Sequence, residues 1–315
     1  MAEVFTIGWI TAVLAAAIPA GTAILYACLG EILCERAGVL NLGVEGMMLM
    51  GALAGFAACY HSEKVWIGAV AACVVGGLMA TIHAFLTITL RANQVVSGLA
   101  LTLFGTGLSA YLGRDLSGKP IPDKFNDITI PLLGDIPRLG RILFQQDALV
   151  YISYLLVPLL WFFVYRTRQG LYLRAVGERP EAADAMGVSV AGLRYLYVIL
   201  GGALAGLGGA AISLGTNPGW IENMTAGRGW IAVALVIFAG WNPLRAALGA
   251  YLFGGVEAGQ FRLQTAGVDI SSFFLSMLPY LFTIIVLVLA TRESTKRRIG
   301  APAALGRPYV REERG

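Results

Sequence analysis

Glu45 is the most informative side chain, because it lies with Asn41 and Met48 inside the apolar run Gly38-Val39-Leu40-Asn41-Leu42-Gly43-Val44-Glu45-Gly46-Met47-Met48. On a continuous helix the i, i+4, i+7 spacing puts all three on one face. A carboxylate in hydrocarbon costs about 2.5 to 3.5 kcal/mol on insertion scales, and less near a helix end, so Glu45 should face protein or a wet cavity. Two readings stay open: the stripe lines a solute path, or Glu45 is a structural acid bonded to backbone amides or to an arginine. A second polar group, Asn93-Gln94-Val95-Val96-Ser97, opens another apolar run. Asn93 suits an N-cap; Gln94 and Ser97, about a turn apart, extend a polar face, and Phe104 further along reads as packing before it reads as a stacking platform. Glu257 and Gln260 are the buried polar pair of the second half of the chain. Trp220 and Trp230 read first as interfacial belt residues and second as walls of an outer gate. His83, the lone imidazole within a span, reads as a satisfied core histidine. No catalytic or metal-binding constellation occurs; Cys28, Cys34, Cys59 and Cys73 read as small buried residues without ligand spacing.

The segment Arg174 to Ser189 has a different character. Pro180 suits the first turn of a helix, Glu181 and Asp184 suit its positive end, and Gly187 suits its stop. Glu178, Arg179, Pro180, Glu181, Ala182, Ala183, Asp184 and Gly187 thus define a short capped helix outside the membrane, which fits a docking element for a cytoplasmic protein better than a plain connector.

These residues need apolar elements to position them. The 315-residue chain is 57% hydrophobic and only 13% charged, with a mean hydropathy of +0.72, far from the quarter charged residues of soluble domains. This is an all-α integral membrane protein, and the lipid bilayer is its first partner. Met1-Ala2-Glu3 has no basic region and no cleavage site, so the first apolar run reads as a retained span. Spans are expected near 4–29, 39–60, 65–90, 94–113, 149–166, 193–215, 229–241, 244–262 and 271–290. The seventh is short and reads as broken or re-entrant. Basic residues crowd the 167–192 loop and the tail 291–315, where Arg292 and Lys296 to Arg298 follow the last span. Both should be cytoplasmic, with the N-terminus outside and the 114–148 loop external. The net charge of +4 is spread over short loops, so no nucleic-acid partner is indicated. A faint repeat relates about 4–113 to about 193–290, in opposite orientation because five spans precede the match. Inverted repeats with an interrupted helix in each half mark transporters.

The run Gly38 to Ala52, the turn Asn93 to Ala100 and the Glu181-Ala182-Ala183 loop with Gly187 resemble the permease subunits of bacterial ATP-binding-cassette importers for nucleosides and simple sugars, over about 4–290. The likeness is greatest to the shorter permease of nucleoside importers. It implies a place in the cytoplasmic (inner) membrane, a second permease, an extracytoplasmic solute-binding protein and a cytoplasmic ATPase with two nucleotide sites. It also implies that Glu178 to Gly187 is the coupling helix, and that the pore runs between two permeases near the Asn41/Glu45 helix. ATP and magnesium belong to the ATPase, since the chain has no Gly-x-x-x-x-Gly-Lys-Ser/Thr loop; no cofactor and no enzymatic activity are expected here. Branched-chain amino-acid permeases share the Gly-x-x-Asn pattern, but an amino-acid carboxylate fits badly beside Glu45. A ribose-type sugar importer fits nearly as well, and an ion-driven carrier would need no ATPase.

Overall fold

The computed structural model describes residues 6–265, 271–290 and 300–310. Among them, five helices are long and apolar enough to cross a membrane: α1 (Ile7–Arg36), α3 (Val65–Ala84, continued by a π-turn over Phe85–Thr89), α4 (Gln94–Gly113), α6 (Ala148–Arg166) and α9 (Val190–Ala210, continued by a π-turn over Ala211–Thr216). Further apolar helices are α2 (Val44–Ser62), α10 (Arg228–Ala239), α11 (Pro243–Thr265) and α12 (Ser272–Ala290). A short helix α5 (Leu139–Leu143) and the antiparallel pair β1 (Ile128–Thr129) and β2 (Gln145–Gln146) order the 114–148 loop. The helices α7 (Arg168–Glu178) and α8 (Pro180–Ala185) form the 167–192 segment. The basic cluster Arg292 to Arg298 lies outside the described residues.

Two expected boundaries move. The first helix runs to Arg36 and buries every residue from Gly21 onward, Glu31 and Glu35 included. The second begins at Val44, five residues later than expected, because Gly38 adopts φ +84° and residues 37–43 form an irregular loop. Asn41 therefore lies in that loop and not on α2, so the helical stripe expected for Asn41, Glu45 and Met48 does not form.

Helices α1 and α9 make the centre. They pack antiparallel, Gly30 against Gly201 and Ala23 against Gly208. On this pair the outer helices dock in matching ways. Gly76 of α3 meets Gly202 and Gly206 of α9, and Gly254 of α11 meets Ala17 and Gly21 of α1. In each case a Cβ on the docking glycine would strike neighbouring backbone, so the close approach depends on the missing side chain. Helix α10 has 12 residues between Gly227 and Gly240, both at positive φ, about 18 Å at 1.5 Å per residue. That is too short to cross the membrane, as its length in sequence suggested.

Candidate translocation site

Non-helical backbone buried inside a protein needs partners for its polar groups, and the largely buried 37–43 loop obtains many of them from side chains. Leu40 N–H donates to Gln94 Oε1 (2.7 Å), Asn41 N–H to Glu31 Oε1 (3.0 Å) and Gly43 N–H to Asn41 Oδ1 (3.0 Å). His83 Nε2 lies 3.1 Å from Leu40 O, while its Nδ1 lies 2.9 Å from Ser97 Oγ. Thr102 Oγ1 donates to Leu42 O (2.9 Å), and Arg194 Nε to Ala37 O (3.1 Å). Gln94, Ser97 and His83 are thus clamps on a loop. Asn93 caps α4 through Val96 N–H (3.1 Å).

The clamped loop delivers the start of α2 to the start of α10. Glu45 Oε1 accepts from Thr225 Oγ1 (2.6 Å) and Gly227 N–H (2.8 Å), and Oε2 accepts from Gly229 N–H (2.6 Å). The carboxylate, 5% exposed, neutralises the positive end of α10 and satisfies two of its orphan amides. Of the two readings of Glu45, the structure displays the structural acid bonded to backbone amides. Met48 is buried against Gly209.

Immediately beyond that junction Arg228 pairs with Glu257 across α10 and α11. Arg228 Nη1 also donates to Met224 O (3.1 Å) and Thr225 O (3.2 Å). The pair lines two adjoining cavities. One, about 510 Å³, lies between the alanine face of α1, the end of the α9 π-turn and α11; the other, about 190 Å³, includes Gln260 and Tyr280. Phe261 lines both. A third space of about 330 Å³ adjoins at Ala16 and Arg262 and reaches the 114–148 loop. Asp147, which caps α6 by accepting from Val150 N–H (2.9 Å), lies outside the spans, and burial raises its carboxyl above the ordinary carboxylate range.

At the opposite end from this loop lies α8. Pro180 occupies its first turn, and Gly187 at φ +80° ends it with Val188 N–H bonded to Ala183 O (3.0 Å). Ala183 is buried with Val176 and Val190, whereas Glu181, Ala182 and Ala185 are exposed and Met186 is 84% exposed. Ala183 therefore supports the helix from behind, and the free face is that of Ala182 and Met186. Residues 300–310 brace the same end: Ala304 N–H donates to Gly177 O (2.9 Å), and Arg194 Nη1 donates to Arg307 O (3.3 Å).

The structure thus gathers Glu257 and Gln260 at a cavity and separates them from Asn41, Gln94 and Ser97. Trp220, expected at the membrane interface, is buried at the end of α4, where its indole packs on Gly113, which has no side chain to keep it away. Trp230 and Phe104 are exposed on other faces. Sequence reading passed over Arg228 as the partner of Glu257, and over Glu31, Glu35 and Trp241, whose indole N–H donates to Glu35 Oε2. The signal for Glu31 and Glu35 was available: acids four apart in a continuing apolar run.

Residues 12–291 match the family model described as "Branched-chain amino acid transport system / permease component". TsgC13 of Haloferax volcanii, a candidate glucose ABC transporter permease, is 44% identical over 94% of this chain and 97% of its own. The guanosine ABC transporter permease NupQ of Bacillus subtilis is 35% identical over 92% and 94%, and the nucleoside ABC transporter permease NupC of Lactococcus lactis 34% identical over 93% and 94%. The fold resembles the inward-facing conformation of a candidate metal-chelate type ABC transporter, with a TM-score of 0.50 at 16% identity over 91% of this chain and 87% of that one. Matched over nearly its whole length, the chain is a transport component and not a catalyst: it belongs to the family of permease components represented by the branched-chain amino acid transport system.

Proposed function

We propose that this chain is the membrane-spanning permease subunit of an ATP-driven importer, carrying a neutral, hydroxyl-bearing ring solute across the cytoplasmic membrane. The observation that carries the reading is the junction of α2 and α10. Helix α2 and the short α10, one from each half, start against each other at Glu45, and an interrupted helix of this kind marks the middle of inverted-repeat transporters. The matching docking of α3 on α9 and of α11 on α1 supports two inverted halves, about 4–113 and 193–290. With the irregular 217–227 stretch and α10 together counted as one crossing, nine membrane segments leave the N-terminus outside and α8 with the tail inside.

The solute is a nucleoside or a simple sugar. Sequence reading favoured nucleosides; the 44% identity to a candidate glucose permease brings sugars level with them. The objection to an amino-acid solute based on Glu45 loses its force, because that carboxylate is spent on α10. The preference for hydroxylated solutes rests instead on the three named relatives. Partners are a second permease, as the resemblance implies, an ATPase seated on α8, and a solute-binding protein outside. The direct test is purification of the chain from native membranes with its complex and ligand retained, followed by mass spectrometry. A second permease, an ATPase and a nucleoside or sugar are expected; a lone chain carrying none of them refutes the reading.

A further inference from the structure

We infer that the 510 Å³ cavity beside Arg228 and Glu257 is a transit site for a solute with vicinal hydroxyls, in which Glu257 accepts the hydroxyls and Phe261 supplies the flat apolar wall. The inference rests on the importer reading above and names the site within it. The cavity lies within the about 300 to 1,000 Å³ of small-molecule sites. Its construction is specific. Ala16, Ala20 and Ala23 lie at i, i+4 and i+7 on α1, forming a low wall that leaves room for a ligand. Facing them, Glu257, Phe261 and Thr265 repeat every four residues along α11, so acceptor and aromatic share one face. The π-turn at the end of α9 brings Thr216 and Asn217 to the rim, and such turns recur at functional sites.

The chemistry follows from how Glu257 is held. Its two oxygens take Arg228 Nη2 and Nε, while Arg228 Nη1 is tied to the backbone of Met224 and Thr225. The carboxylate is fixed in orientation, yet each oxygen keeps a further lone pair. A fixed carboxylate with one open acceptor on each oxygen suits two neighbouring hydroxyls; Arg228 offsets its charge, and Arg262, which also lines the cavity, adds hydrogen-bond donors for a hydroxylated solute. Phe261 is 54% exposed and borders both cavities, where it can stack under the C–H face of a pyranose or under a base. A ribose and a hexose share this chemistry, and the test separates them.

The complete complex, with its second permease, ATPase and binding protein, is reconstituted, and uptake of guanosine, 2′,3′-dideoxyguanosine, glucose and 2-deoxyglucose is measured. The expected result is a tenfold or greater rise in the half-saturating concentration for guanosine or glucose in Phe261→Ala, recovered in Phe261→Tyr. Glu257→Gln is expected to reduce the wild-type preference for the hydroxylated member of the pair to under twofold. Loss of guanosine discrimination identifies the ribose as the ligand, and loss of glucose discrimination the hexose. Wild-type uptake with unchanged concentration dependence in Phe261→Ala overturns the site while leaving the importer reading intact, even if Glu257→Gln fails to assemble. A wild-type complex that takes up neither probe overturns both.

Discussion

Replacing Glu45 tests the junction of α2 with the short α10. Its carboxylate receives Thr225 Oγ1, Gly227 N–H and Gly229 N–H, all in a buried setting. Hydrogen bonds to charged groups contribute about 1.5 to 3 kcal/mol each, and stranded donors cost about 1 to 3 kcal/mol. Allowing for shared effects, Glu45→Ala should lose about 3 to 5 kcal/mol. Glu45→Gln keeps one oxygen for Thr225 and Gly227 but turns an amino group toward the Gly229 N–H, so it should lose about 1 to 3 kcal/mol. With about 2 °C of melting temperature per kcal/mol for a chain of this size, thermal unfolding of the detergent-purified complex should fall by about 6 to 10 °C for alanine and about 2 to 6 °C for glutamine. Hydrogen exchange should accelerate at Gly227 and Gly229 before the rest of α10. Variants that both melt within about 1 °C of wild type, with those amides still protected, would refute the capping role.

Three further outcomes follow from the same structure. A Cβ at Gly229 would lie 2.6 Å from Glu45 Cα, so Gly229→Ala should destabilise at least as much as Glu45→Gln; an unchanged melting temperature contradicts that contact. On α8, Ala182→Arg should weaken copurification of the ATPase with the spans intact, whereas Ala183→Arg should open the Val176 and Val190 cluster and expose the 167–192 segment to protease; equal behaviour of the two variants contradicts the assigned faces. At Asp147 the folded-state carboxyl value is raised, so its charge weakens the fold as pH rises through that value. Asp147→Asn should keep the cap and melt progressively higher relative to wild type as pH rises above the ordinary carboxylate range, while Asp147→Ala should lose about 1 kcal/mol of capping throughout.

Local physics was legible in the sequence. Hydropathy alone located α4 at 94–113, and Pro180 with Gly187 bounded α8, because span length and cap chemistry are properties of neighbouring residues. The short α10 was visible between its glycines for the same reason. Partners distant in sequence were not. Glu45 meets amides more than 180 residues away, and periodicity placed Asn41 on a helix that Gly38 interrupts with a positive φ. Gln94 and Ser97 suggested a polar face, but their partners, Leu40 N–H and His83, come from elements that only the packed bundle brings near. Ala183 was expected at the ATPase; its burial depends on α7 and α9, which cover it from the same chain.

ATP-dependent uptake by the reconstituted complex tests the central claim most directly. Proteoliposomes holding this chain with its second permease and ATPase, supplied with binding protein, should accumulate guanosine or glucose only when ATP is present on the ATPase side. Uptake should be lost when Ala182→Arg detaches the ATPase from α8. Accumulation by this chain alone, driven by an ion gradient and indifferent to ATP, would contradict the account.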